Sequence, residues 1–175
     1  MNILYFNTIF GNIELILNED SRIIECQKQS EYLVENIEKM LKDNNLDYKD
    51  IDFFATITGS GNFTNIKTNL AVAKALQLAT QKKVIGSDLF EIIGYEENYD
   101  YIALKINPVK WHIKDKEGNY FVENKLDNFN GKVISEYSAE KWKKLTETKI
   151  KNNIFTPLEA LYIENIKINK RKGAL

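Results

Sequence analysis

The chain has one cysteine, Cys26, and one histidine, His112, among 175 residues. A single cysteine excludes an internal disulfide framework and suits a reducing compartment. One Cys with one His cannot assemble a zinc site, which needs a cluster of such ligands. A serine-type triad would have to take His112 as its base. That residue lies in the alternating run Lys110-Trp111-His112-Ile113-Lys114, which reads as a strand carrying a structural histidine. No Gly-x-Ser-x-Gly elbow, Walker motif or Gly-x-Gly-x-x-Gly is present. Excess charge of one sign is lacking too. The net charge is -1 and the pI about 6.0, unlike a basic nucleic-acid-binding domain. Only Lys167 to Lys172 is locally basic, and it reads as a solvated end. The apolar run from Ile3 to Phe10 is too short to span a bilayer and follows no basic leader. The expectation is a soluble, cytoplasmic protein without metal, cofactor or membrane contact.

Hydrophobic residues make up 43% of the chain, enough for a sizeable core in one domain or two fused lobes. The order of elements is read as α/β. Residues 2–7, 12–17 and 22–27 are three strands too closely spaced for helical crossovers, so they pair antiparallel. Ser30 is a candidate N-cap for a helix with Leu33, Val34, Ile37, Met40 and Leu41 on one broad face. Residues 51–57 form a strand buried on both faces, and Val84-Ile85-Gly86 forms another. Ser87 or Asp88 then starts a short helix. Three more strands are expected at residues 101–107, 109–114 and 119–123, with a hairpin turn at Lys116-Glu117-Gly118-Asn119. Ser138 opens a helix holding Trp142 and Leu145, and Pro157 starts a last helical turn. Strand-strand-strand-helix thus occurs twice. The expected lobes are residues 1–97 and 98–175. The carboxylate pairs Asp47/Asp50 and Glu96/Glu97 read as solvated.

The junction Ile57 to Lys67 is the most informative segment. Gly59-Ser60-Gly61 separates a buried strand from a helix, with Asn62 or Thr64 as its cap. Such a turn can cradle phosphate on helix N–H groups, or it can serve as a hinge. The helix that follows, to about Gln81, carries apolar residues all round and only Lys67 and Lys74 as charges. A helix of this kind needs cover on two sides. One side is the sheet. The other is a neighbouring element of the chain or a partner.

These residues resemble the TsaB (YeaZ) family of bacterial tRNA threonylcarbamoyladenosine synthesis. Gly59, Gly61, Asn62-Phe63-Thr64-Asn65, Ile66 and Lys67 match that family's glycine-rich turn, Ser-Phe-Thr-Gly, aliphatic residue and Arg. Asn7-Thr8 stands where the family has Asp-Thr. Gln29-Ser30 stands where it has His-Ser. Val84-Ile85-Gly86 and Leu89 match the next strand and helix, and residues 160–164 resemble the family's ending. The likeness is good over residues 1 to about 93.

The resemblance implies an actin-like (RNase H-like) fold, with a mixed five-stranded sheet and a smaller, truncated second lobe of similar topology. It implies no catalysis. The family lacks the His-x-x-x-His metal site of its paralogue TsaD, and so does this chain. Asn7, unlike Asp, cannot serve as an anion toward Mg²⁺ or as a base. The implied role is a scaffold that pairs with TsaD through its first two helices, with the ATPase TsaE joining and tRNA met only through the complex. Leu33, Ile37 and Met40 of the first helix and Ile66, Leu70 and Ala73 of the second are expected at that partner face. Gly59, Gly61, Phe63 and Thr64 form the motif loop. The alternatives are an actin-like nucleotide-binding phosphotransferase or ATPase, and a stand-alone module that homodimerises through the same helices.

Overall fold

The computed structural model describes residues 1–126 and 129–163. The basic stretch Lys167 to Lys172, and Glu164 of the family-like ending, lie outside the described residues.

The first sheet is mixed and five-stranded, in the order β3-β2-β1-β4-β5. β1 (Ile3–Asn7), β2 (Asn12–Leu17) and β3 (Asp20–Glu25) form the antiparallel meander. β3 starts two residues before the expected Arg22, because Asn18 takes a left-handed φ of 54° and lets a short turn close the hairpin. β4 (Phe53–Gly59) and β5 (Lys83–Asp88) add in parallel beyond β1. β1 lies between two strands, and all of its residues are buried.

α1 (Gln29–Asp43) bridges β3 to β4. Leu33, Ile37, Met40 and Leu41 recur at helical spacing and are its buried residues. Lys28, not Ser30, precedes its first turn, and no side chain caps it. A 3-10 turn at Tyr48–Asp50 follows, closed by a capping box between Asp47 and Asp50. α2 (Phe63–Thr80) is the crossover to β5. The Asn62 side chain caps it by accepting from the Thr64 N–H, and Gln81 ends it in the left-handed region at φ 58°. Asp88 and Glu91 form a reciprocal capping box on α3 (Leu89–Gly94).

The second sheet has the order β8-β7-β6-β9. β6 (Tyr101–Asn107), β7 (Lys110–Asp115) and β8 (Tyr120–Glu123) form a second meander, and β9 (Val133–Ile134) pairs in parallel with β6. The arrangement repeats the first sheet: three antiparallel strands, then a parallel strand beside the first of them. No helix lies between β8 and β9 among the described residues, so the repeat is shortened there. α4 (Ala139–Lys151) follows, with the Ser138 side chain as its N-cap. Residues 155–162 contain no helical turn at Pro157. They run as a strap across the ends of β4 and β5.

One apolar cluster joins Ile3, Tyr5 and Ile57 of the first sheet to Ile102 and Leu104 of the second and to Trp142 and Leu145 of α4. Trp142 is fully buried and meets Tyr5 edge-on at 5.1 Å between ring centroids, a favoured aromatic geometry. Truncating such a residue to Ala costs about 3–5 kcal/mol. Leu33, Ile37 and Met40 belong to a second cluster with Leu4, Leu15 and Phe54 on the α1 side of the sheet. Among the described residues, no helix is long and apolar enough to cross a membrane.

Candidate functional site

The C-terminal ends of β1, β4 and β5 are where an open α/β sheet usually receives its ligand. Here the chain's own polar groups occupy that end. Asn7 and Thr8, at the end of β1, and Asn69, on α2, are all completely buried. The Asn69 Oδ1 accepts from the Thr8 backbone N–H at 3.1 Å and from the Thr8 hydroxyl at 2.8 Å. Its amide donates to the Ile57 carbonyl at 3.0 Å and to Asn7 Oδ1 at 3.2 Å. Asn7 Oδ1 also accepts from the Ile9 N–H at 2.9 Å, and Asn7 Nδ2 donates to Glu14 at 3.2 Å. Both faces of the Asn7 carboxamide are thus engaged by protein groups. The Glu14 carboxylate, on β2, also accepts from the Tyr137 hydroxyl at 2.9 Å. Burial raises its pKa, opposed by the hydrogen bonds from Asn7 and Tyr137. Burial and the neighbouring Glu14 in turn push the Tyr137 phenol far up.

The glycine turn is equally enclosed. Gly59 has φ +152°, and a Cβ there would lie 2.6 Å from the Leu161 carbonyl oxygen. The Leu161 N–H donates to the Thr58 carbonyl at 3.0 Å. A Cβ on Gly61 would crowd Ile9 at 3.2 Å. Glycine is therefore required at position 59 for packing against the strap, and Gly61 packs closely on Ile9 beyond the end of β1. Phe63 stands beside Tyr162 with centroids 5.4 Å apart, and the Lys67 ammonium sits 4.1 Å above the Phe63 ring. Thr64 is exposed in the first turn of α2.

Two contacts here were not legible in the sequence. The Ser60 hydroxyl lies 2.5 Å from His112 Nδ1, so the glycine turn of one sheet is tied to β7 of the other. Ser60 and His112 are both buried. Lys149 of α4 is also buried. Its ammonium donates to the Gly86 carbonyl at 3.0 Å, the Ser87 hydroxyl at 3.0 Å and Glu91 at 2.8 Å. Nearby Asp88 has its pKa raised by burial. Both contacts span more than 50 residues, and no local pattern announces them. Among the described residues, no three His, Cys, Asp or Glu side chains gather as metal ligands would.

The six helix residues expected at a partner face are placed differently. Leu33, Ile37, Met40, Ile66 and Ala73 are each 0% exposed and pack into the chain's own core. Leu70 is half-buried against both clusters. These residues face the sheet because they complete the core that β1, β2 and β4 begin. Among the described residues, nothing covers the opposite faces. On α2, Ala71 and Ala75 are exposed, and Leu78 is 76% exposed. On α1, Tyr32 and Val34 are exposed beside Glu31, Glu35 and Glu38. Among the described residues, α2 is covered by β4, β5 and α1, and its opposite face is exposed.

No family model matches this sequence, and no curated protein matches it either. Solved structures do match. YeaZ from Pseudomonas aeruginosa superposes with a TM-score of 0.66 at 12% identity, covering 93% of this chain and 99% of that one. An uncharacterized protein described as similar to the peptidase YeaZ from Pseudomonas aeruginosa gives a TM-score of 0.66 at 13% identity, with the same coverage. The chain has the fold of YeaZ over nearly its whole described length.

Proposed function

We propose that this protein is a non-catalytic scaffold of the TsaB type, which docks on a TsaD-like paralogue and enables it to place threonylcarbamoyl on adenosine 37 of tRNA. The observation that carries this reading is the outer face of α2. Ala71, Ala75 and Leu78 form an exposed strip of small and apolar side chains, flanked by Lys67 and Lys74. Small residues let a second helix approach closely, and apolar ones drive it to do so. On α1, Tyr32 and Val34 are exposed on the two flanks of its buried face. The interface belongs on these outward faces, not on the buried faces of the same helices. TsaE and tRNA join through the complex, in the cytoplasm.

The sheet end supports the non-catalytic part of the reading. A phosphotransferase needs an acid free to hold Mg²⁺ and a turn open to phosphate. Asn7 is a neutral amide committed to Glu14 and Asn69, and Leu161 lies against Gly59. Reconstitution tests the proposal. Purified TsaD and TsaE from the same source, supplied with an activated threonylcarbamoyl donor, should modify tRNA only when this chain is added. Full modification without it contradicts the scaffold role. Stoichiometric ATP hydrolysis by this chain alone would favour the phosphotransferase reading instead.

A further inference from the structure

The open edge of the second sheet carries a feature that the scaffold role does not use. Edge strands are normally blunted by charge, proline or a bulge, because their unpaired N–H and C=O groups invite another strand. β3, an edge of the first sheet, has Asp20, Arg22 and Glu25 along it. β8 is an edge of the second sheet, and its sequence is Tyr120-Phe121-Val122-Glu123. Tyr120, Phe121 and Val122 are 39%, 39% and 40% exposed, and every residue from 116 to 125 is exposed. No described strand pairs with the outer side of β8.

The hydrogen-bond phase of this edge follows from the hairpin. The Asp115 N–H donates to the Asn119 carbonyl at 3.0 Å, and the ladder continues through Ile113 opposite Phe121 and Trp111 opposite Glu123. Bonded pairs alternate along an antiparallel ladder. Phe121 and Glu123 therefore bond inward to β7, and Tyr120 and Val122 present their N–H and C=O groups outward.

We propose that β8 is the seam of a two-fold symmetric dimer, in which a second copy adds its own β8 antiparallel and joins the two second sheets into one. Three two-fold registers satisfy the outward groups of Tyr120 and Val122. Centring on Tyr120 sets Phe121 of each copy against the polar Asn119 of the other. Centring on Val122 sets Phe121 against Glu123. Centring on Phe121 places Tyr120 opposite Val122, with both backbone bonds made at each end of the seam. That register also brings the two Phe121 rings together, over a groove that Tyr101 and Phe129 line beside Phe121. Apolar matching thus selects this register. The outer faces of α1 and α2 stay free, so the seam joins two copies that can each still hold a helix-bound partner.

Sedimentation velocity on the full chain, from about 5 to about 500 µM at low salt, tests the seam. The wild type should dimerise reversibly. Val122→Pro removes an outward N–H, spares the β7–β8 ladder and should abolish dimerisation. Val122→Lys, which needs no backbone change, should do the same. A wild type that stays monomeric overturns the proposal and leaves the edge to some other strand. A dimer that survives both Val122 changes but is lost in Leu78→Glu overturns it as well, and places the second copy on the helices.

Discussion

The Asn7 carboxamide donates to the buried Glu14 carboxylate at 3.2 Å. This contact explains why an amide, and not an acid, ends β1. Asn7→Asp would set two carboxylates side by side where no water reaches. We expect it to destabilise the fold by about 2–4 kcal/mol at neutral pH. The loss should shrink as the pH falls and one of the pair takes up a proton. Urea titrations at neutral and acidic pH measure it. An Asn7→Asp protein as stable as wild type at neutral pH, or one that hydrolyses ATP, contradicts this account.

Glu14 itself carries a pH signature. Its folded pKa is raised, chiefly by burial, so between its unfolded value and that raised value the folded state binds more protons than the unfolded one. Its contribution is complete below the unfolded pKa and is lost as pH rises through the folded pKa. Glu14→Gln removes this term and can keep its bonds to Asn7 and Tyr137. Relative to wild type, the variant should gain stability from pH 4 to pH 8. Parallel stability curves for the two proteins across that range would refute the assignment.

Gly59→Ala meets two obstacles, a φ of +152° and the Leu161 carbonyl 2.6 Å from the new Cβ. About 1–3 kcal/mol of destabilisation is expected. The relief available is for the strap to lift. Limited proteolysis should therefore cut the variant near residues 155–163 faster than wild type, while the remaining chain keeps its far-UV spectrum. Equal cleavage rates would show that the strap does not rest on this glycine.

Lys149→Met tests the link from α4 to the end of β5. Glu91 is partly exposed (side-chain accessibility 39%) and can turn to water, so its lost ion pair counts for little. The Gly86 carbonyl and Ser87 hydroxyl each lose a buried partner. Together these cost about 1–3 kcal/mol by thermal or urea unfolding. Lys149→Arg should cost less if a guanidinium can reach the same three acceptors. A neutral Lys149→Met would mean that the buried ammonium stabilises nothing.

How much the sequence disclosed differs from residue to residue. The caps Asn62, Asp88 and Ser138 were readable because a side chain within three residues makes the bond. The two meanders were readable from alternation and short turns. The orientation of α2 was not. Its apolar and small residues are spread around the cylinder, and its faces invert the usual reading. Polar Asn69 is completely buried because Thr8, Asn7 and the Ile57 carbonyl need it, and Leu78 faces solvent. The sequence therefore indicated a helix with more apolar surface than its own sheet needs, but named the inward residues as the partner face. β9 has two residues paired across about 30 positions of chain, the strap lies on β4 through one backbone bond, and the Ser60–His112 contact spans 52 positions. Such features are fixed by tertiary packing, which local pattern does not encode.

The most direct test of the central claim is titration calorimetry of this chain with the TsaD of its own source. Wild type should bind with 1:1 protomer stoichiometry. Leu78→Glu and Val34→Glu, both on exposed outer faces, should keep the wild-type melting temperature and lose at least about 100-fold in affinity, as a charge buried in an apolar helix interface would. Wild-type affinity in both variants, or no binding by the wild type, would contradict the account.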